Sequence, residues 1–221
     1  MINNLFSIFD PTSYFPIPLN WLRLTLVLFL IFPQFWALKS PFQTLLKLAA
    51  SALISEFSVL LKKNKIRILL FISLFFLISH TNTLGLLAYS FTSTSHLAIT
   101  LSLALPFWLG FVIFSITNNT LNFLAHLVPL GTPAPLMPFI VIIEIIRSII
   151  RPITLSVRLT ANMIAGHLLL TLLGGLLPSR TILIFGSAFA AQSLLIVLET
   201  AVALIQAYVF SVLTTLYASE A

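Results

Sequence analysis

Two long apolar segments near the C-terminus decide the fold of this chain. Residues 139–177 read FIVIIEIIRSIIRPITLSVRLTANMIAGHLLLTLLGGLL, and residues 181–218 read TILIFGSAFAAQSLLIVLETAVALIQAYVFSVLTTLYA. An α-helix of that length would measure about 57 Å, whereas the hydrocarbon core of a bilayer is only about 30 Å thick. Either each helix breaks, as Gly174-Gly175 would permit in the first segment, or both helices tilt steeply. Because 181–218 has no strong internal breaker, we predict a steeply tilted helical hairpin.

The composition of the whole chain indicates the same environment. Of the 221 residues, 59% are hydrophobic and only 7% are charged, against roughly 25% charged in a soluble domain. Such a chain cannot cover a water-facing surface, which argues against soluble, disordered and nucleic-acid-binding proteins. Long stretches are apolar at every position, whereas the strands of a membrane barrel alternate. The sequence therefore predicts an all-α integral membrane protein.

The remaining segments can be divided by length and proline content. We predict about five membrane-crossing helices, including the hairpin, and one amphipathic surface helix, all in a single membrane domain without internal repeats. In chain order the other segments are an N-terminal arm 1–18, a first span 19–38, the surface helix 41–63, spans 66–89 and 96–117, and a proline-rich loop 118–138.

The distribution of charge predicts the orientation in the membrane. Six of the eleven basic residues lie between Lys39 and Arg67, and no Asp, Glu, Lys or Arg occurs from Ile68 to Ile143. By the positive-inside rule the basic region lies on the inner side, with the N-terminus outside and the C-terminus inside. The first ten residues lack a basic region, and no small-residue cleavage site follows them, so we expect no signal or transit peptide.

The hairpin carries ionisable and polar residues in two stripes. At about 100° per residue, one stripe falls within roughly 60° on the first helix, and a second repeats every seven residues on the other. The first comprises Glu144, Arg147, Arg151, Arg158 and Asn162, and the second comprises Gln192, Glu199 and Gln206. His167 points to about the opposite side from Arg158. Ionisable groups within a span are costly and are a functional hypothesis by default.

A structural explanation competes with a functional one for each of these charges. Glu144 and Arg147 can form an ion pair at i,i+3, and Arg151 can extend to the lipid headgroups. Arg158 lies deeper and has no acid within seven residues. An arginine stays protonated, whereas carboxylates and imidazole can titrate near neutrality. A fixed cation among such groups on two sides of a helix is a workable arrangement for handling protons.

Other chemistry has little support in the sequence. The chain contains no cysteine, which excludes disulfides and thiolate metal sites. His80, His96 and His126 are expected to be interfacial or satisfied polar residues, and no metal cluster, phosphate loop or nucleophile triad is present. We therefore expect no cofactor, no metal and no catalysis by the chain alone.

Several motifs in the hairpin resemble those of a known family. Residues 156–168, SVRLTANMIAGHL, and Glu199 with residues 201–210, AVALIQAYVF, resemble the signatures of mitochondrial-type ATP synthase a subunits. Residues 131–136, GTPAPL, and residues 144–152 are also similar to that family, as is the order of the segments. The resemblance covers nearly the whole chain and is weakest over the first 20 residues. Bacterial relatives often carry an acid at the position of His167 and a histidine at that of Glu199, so the arrangement here favours the mitochondrial type.

The resemblance implies a proton-translocating stator subunit of a rotary motor. Arg158 would face a ring of c subunits and prevent protons from short-circuiting, with Asn162 beside it and Gln206 on the ring-facing surface of the last helix. His167 and Glu199 would belong to an inlet half-channel. Glu144 would lie toward the outlet half-channel.

The family also implies a location and partners. The chain would lie in the mitochondrial inner membrane, with its N-terminus toward the intermembrane space and its C-terminus toward the matrix. Its partners would be the c-ring, other subunits of the Fo sector and peripheral stalk, lipid and protons, but no nucleic acid.

Two other functions are compatible with intramembrane charges. A non-rotary proton-coupled carrier, or a membrane subunit of the respiratory chain, would also use them. Carriers commonly show internal repeats and discontinuous helices, and neither is visible in this sequence. A scaffold without a proton role is disfavoured by the two polar stripes. Co-purification with a ring-forming subunit and a catalytic head would discriminate among these functions.

Overall fold

The structure, a computed structural model, describes residues 9–11, 19–21, 41–61, 64–87, 91–118, 120, 136–176 and 182–220. Within these ranges the regular structure is helical, and no strand occurs. The α-helices are α1 Pro41–Leu60, α2 Lys65–Gly85, α3 Leu97–Asn118, α4 Met137–Leu176 and α5 Ile182–Glu220. Two short 3-10 turns, Leu19–Trp21 and Ser93–Ser95, accompany them.

The helices have the length and composition of membrane-spanning segments. Four described stretches are long and apolar enough to cross a bilayer, namely Gln43–Leu60, Lys65–Gly85, Leu97–Thr117 and Phe185–Ser219. The prediction of an all-α membrane protein is confirmed. The first of these stretches lies in the segment predicted as a surface helix, so composition alone does not separate the two roles. The predicted arm and first span fall largely outside the described residues, and Leu19–Trp21 forms a 3-10 turn.

The two C-terminal helices are continuous. α4 has 40 residues and α5 has 39, and α4 runs through both Pro152 and Gly174-Gly175 without ending. α4 also begins at Met137, so Pro138, predicted to end the preceding loop, lies in the first helical turn. Proline is tolerated there because the first turn of a helix has no partner for its N–H groups. Within 137–176 and 182–220, therefore, each helix is unbroken.

The turn between α2 and α3 differs from the prediction. α2 ends at Gly85 rather than at residue 89, and the Leu86 N–H closes the last turn on the carbonyls of Asn82 and Thr83. Residues 88–90 lie outside the described part. The chain then returns as the turn Ser93–Ser95, whose three residues are all buried. Glycine ends a helix readily, and here it also lets Thr92 and Met163 approach closely.

Packing connects the helices in two clusters. α1 lies across the start of α2 and the end of α5, where Phe57 is fully buried among Leu53, Phe71 and Ala218. A second cluster joins α2, α3, α4 and α5 around Ile78 and Ala207. Large apolar side chains on the outer faces remain exposed, for example Ile66 at 85%. Lipid and partner subunits are the surroundings that suit such a surface.

Candidate functional site

The carboxylate of Glu199 is buried where α5 crosses α4. Its side chain is only 5% exposed, and it lies directly over Gly166 of α4. A Cβ atom on Gly166 would contact Glu199 Oε1 and would stand 2.6 Å from Cδ and 3.1 Å from Cγ. Glycine at this position therefore provides the space that the carboxylate occupies. A buried carboxylate is a costly feature that membrane proteins retain where it serves a function.

His167 follows Gly166 and directs its ring toward α2. The ring hydrogen-bonds the backbone of Gly85, while Nε2 is buried without a partner among the described residues. The ring of Phe9 meets the imidazole edge to face, with centroids 6.3 Å apart. No direct hydrogen bond or ion pair joins His167 to Glu199 within the described part, and their shared place in an inlet half-channel stays a prediction.

Further polar atoms are buried without a described partner on α2 and on the segment Thr92–His96. Asn82 Nδ2 donates 3.4 Å to the carbonyl of Ala203, one turn beyond Glu199. Its Oδ1 atom has no partner among the described residues. The same holds for Thr94 Oγ1, His96 Nε2 and both carboxylate oxygens of Glu199. We call Asn82, Thr94, His96, His167 and Glu199 the buried polar cluster.

The buried polar cluster has the composition of a proton path. Buried polar atoms are normally hydrogen-bonded, and where protein supplies no partner an ordered water commonly does. Carboxylate and imidazole can each take up and release a proton. The cluster draws its members from α2, from the Thr92–His96 segment and from both helices of the hairpin. Chemically, it can relay protons through water to a titratable carboxylate.

Sequence reasoning missed three members of the cluster. His96 was expected to be an interfacial or a satisfied polar residue, but its Nε2 is buried without a described partner, and the rings of Trp21 and Phe91 both lie 5.3 Å from its ring. Asn82 and Thr94 were not singled out at all. The signal available in the sequence was polarity, because Ser79 to Thr83 form a polar run within an apolar span.

Arg158 lies on the outer face of α4. Its side chain is exposed, whereas the adjacent Ser156 and Leu159 face inward and are buried. Among the described residues it has neither a hydrogen-bond nor an ion-pair partner. Asn162, one turn further along, is half-buried. An exposed guanidinium in a membrane helix requires a counter-charge or water from outside the chain.

The other predicted residues lie apart from the buried polar cluster. Glu144 and Arg147 form an ion pair of 3.0 Å at i,i+3, with side chains 30% and 62% exposed. Arg151 places its guanidinium 5.0 Å from the centre of the Tyr217 ring. Gln206 is half-buried on α5. The described residues contain no group of three acids or histidines that could hold a metal.

Comparison with known proteins identifies the family. The family described as "ATP synthase A chain" matches residues 17–219. The chain is 53% identical over its full length to proteins named ATP synthase subunit a from Drosophila mauritiana and Anopheles gambiae, covering 99% of each. It is 51% identical to the protein of that name from Artemia franciscana, with both chains covered completely. The chain belongs to the ATP synthase subunit a family.

Proposed function

We propose that this chain is the proton-translocating stator subunit of a rotary F-type ATP synthase. It would provide two offset proton half-channels against a c-ring and couple proton flow to rotation and ATP synthesis. The main observation for the proposal is that a titratable group and a permanent cation of the hairpin lie in different environments. A protonatable carboxylate, Glu199, is buried inside the chain, while a permanent cation, Arg158, stands on the outer face.

The buried polar cluster is the proposed inlet half-channel. Protons enter from the intermembrane space and pass by way of His167, Glu199 and water to the ring. Asn82 and His96 are proposed to line the same path, because both carry a buried polar atom without a described partner and Asn82 donates to Ala203 on the helix of Glu199. Each proton then neutralises a carboxylate on the ring, which can enter lipid at acceptable cost only when it is neutral.

Arg158 is the proposed barrier between the half-channels. A ring carboxylate that passes it supplies the counter-charge that the described part of this chain does not supply. Because arginine does not lose its proton, no proton can hop through this position. Asn162 lies beside it on the same stripe, and Gln206 faces the ring from α5. One charge that moves through 100 mV releases about 2.3 kcal/mol of free energy. Because the barrier prevents protons from crossing without the ring, this free energy drives rotation.

Glu144 is placed toward the outlet half-channel on the matrix side. The ion pair with Arg147 holds its carboxylate near the start of α4, well separated along the helix from Glu199's contact at Gly166. The chain itself performs no catalysis in this scheme. It would lie in the mitochondrial inner membrane with the N-terminus in the intermembrane space, and with residues 39–67 and the C-terminus on the matrix side.

The test replaces Arg158 in the assembled complex. Arg158→Gln should abolish ATP synthesis, and Arg158→Lys should impair coupling although the formal charge is kept, since a lysine shielded from water between this face and the ring can lose its proton. ATP synthesis and passive proton conductance are measured in vesicles. Arg67→Gln is the matched control, because it removes an exposed arginine to which the proposal assigns no role in either half-channel. Near-normal synthesis with glutamine at position 158 would refute the proposal.

The orientation has a separate test. Protease added to the intermembrane-space side of intact inner-membrane vesicles should not cut the basic segment 62–65, whereas protease on the matrix side should reach it. Cleavage from the intermembrane-space side would contradict the proposed topology and leave the role of Arg158 to its own experiment.

A further inference from the structure

A hydrogen bond joins the surface helix to the last helix of the hairpin. The Tyr208 hydroxyl of α5 donates to Glu56 Oε2 of α1 at 3.0 Å, across 152 residues of sequence. Among the described residues it is the hydrogen bond that connects side chains of these two helices. The contact lies outside the buried polar cluster, and the function proposed above makes no use of it.

The surroundings of the bond restrict where the two partners can go. Next to Glu56, Phe57 is completely buried, and on either side of Tyr208 the inner face of α5 is anchored by Ala207 and Phe210. Both helices are therefore packed at the residues adjacent to the bond, while Glu56 and Tyr208 themselves stay on the outer surface. The bond adds a directional contact at the edge of the apolar interface between α1 and α5. Without the bond, that interface would offer little resistance when one helix slides along the other.

The chemistry of the pair suits a membrane surface. A carboxylate that approaches lipid is costly unless a donor satisfies it, and a hydrogen bond to an ionised acceptor is stronger than one between neutral groups. Tyrosine has an apolar ring with a polar tip and is enriched where lipid meets water. Glu56 is the only acidic residue between Asp10 and Glu144, so no neighbouring acid in that part of the sequence can replace it.

We propose that Glu56 and Tyr208 are positioning residues that brace α5 against α1 while the ring turns. The inference rests on the proposed function, because only a rotor would push sideways on the hairpin. Tyr208 lies two residues beyond Gln206 and nine beyond Glu199 on the same helix. A change in the axial or rotational setting of α5 at Tyr208 therefore displaces both residues. The bond therefore keeps Glu199 of the inlet and Gln206 of the ring-facing surface at fixed positions relative to α4.

The first experiment compares variants of the pair in vesicles that carry the assembled complex. Glu56→Ala and Tyr208→Phe should each lower ATP synthesised per proton translocated by about two- to tenfold, the range expected for loss of one hydrogen bond. The double variant should be no worse than either single one, because both remove the same contact. Glu56→Gln keeps the reach and an acceptor oxygen, so it should retain most of the ratio. A variant that only reduces assembly would lower synthesis and proton flux together and leave their ratio unchanged.

The second experiment uses the absence of cysteine from the native sequence. Glu56→Cys with Tyr208→Cys should form a cross-link with a short bifunctional reagent. Lys47→Cys with Tyr208→Cys is the matched control, because Lys47 lies nine residues earlier on α1, about 13.5 Å along the helix. Before cross-linking, this double variant should show the lowered ratio of ATP to protons; complexes joined at 56 and 208 should regain the ratio, since the proposal requires this distance to stay constant.

The outcomes separate the brace from the function on which it rests. Additive losses, an unchanged ratio of ATP to protons, or inactivation by the 56–208 cross-link would each overturn the brace. In those cases loss of synthesis in Arg158→Gln would still support the rotary function. Normal ATP synthesis in Arg158→Gln would refute both the proposed rotary function and the brace.

Discussion

Replacing Gly166 with alanine tests the geometry of the site most directly. The new methyl group would overlap Glu199 Oε1 and stand 2.6 Å from Cδ, so the carboxylate has to leave its position. Overpacking a tight contact costs about 1–3 kcal/mol. If that cost destabilises the position that the Glu199 carboxylate occupies in the structure, the fraction of molecules with the carboxylate in this position drops by about 5- to 150-fold. The conversion is 1.36 kcal/mol for each factor of ten. We expect proton-driven ATP synthesis to fall by a factor in that range.

The chain offers a matched control on the same helix. Gly174 of α4 has no described atom within 4 Å of an added Cβ, so Gly174→Ala changes helix propensity without touching a neighbour. Alanine is favoured over glycine in a helix by up to about 1 kcal/mol, and this variant should be neutral or slightly stabilising. Both variants are compared in vesicles by ATP synthesis and by quenching of a pH-sensitive dye, normalised to assembled complex on native gels.

A second substitution makes the test specific to Glu199. Glu199→Asp withdraws the carboxylate by one methylene and should restore part of the proton flux in the Gly166→Ala background. Equal flux in Gly166→Ala and Gly174→Ala would refute the reasoning, because it would show that the position of Glu199 does not matter for transport.

Four further predictions follow from other parts of the structure. Glu199→Gln should strongly reduce proton flux and ATP synthesis because the amide cannot exchange a proton; intact flux in vesicles would contradict the relay. Phe57→Ala should destabilise the seating of α1 by about 3–5 kcal/mol, seen as faster proteolysis of α1 or loss of assembled complex on native gels. Arg147→Gln should change stability by less than about 1 kcal/mol, since its ion pair is largely exposed, as thermal melting of the purified complex would show. In an electron-microscopy map of the complex in lipid, α4 and α5 should lie more than about 25° from the membrane normal, because they exceed the core thickness.

Helix positions were largely predictable because their signals are local. The hairpin segment predicted at 139–177 is a helix at Met137–Leu176, and the span predicted at 96–117 is a helix at Leu97–Asn118. Hydropathy and length are properties of a single stretch of chain, and backbone groups in lipid must bond within their own helix. The end of α2 was misplaced because apolar residues continue past Gly85, whereas the helix ends there and Thr92 packs against Gly85.

The two polar stripes were visible from helical periodicity, but the helices that each stripe faces were not. Periodicity places Arg158 away from His167 on α4, and in the structure Arg158 lies on the outer face while His167 meets Gly85 of α2. Periodicity cannot say which neighbouring helix each face meets. Asn82 and His96 escaped notice for that reason, since each looks like an ordinary polar residue near the end of a span.

By itself, the sequence determined the membrane class, the approximate positions of the described helices, the polar stripes and, through its motifs, the family. All of these depend on residues close together in the chain. Only the tertiary structure placed Glu199 over Gly166, joined Asn82 to Ala203 across 121 residues and joined Tyr208 to Glu56 across 152. Such contacts depend on how whole helices cross and pack, and the crossing is set by side-chain shape summed over many residues. From the sequence, Gly166 is only a weak helix former. It provides space for the Glu199 carboxylate only because a second helix packs against it.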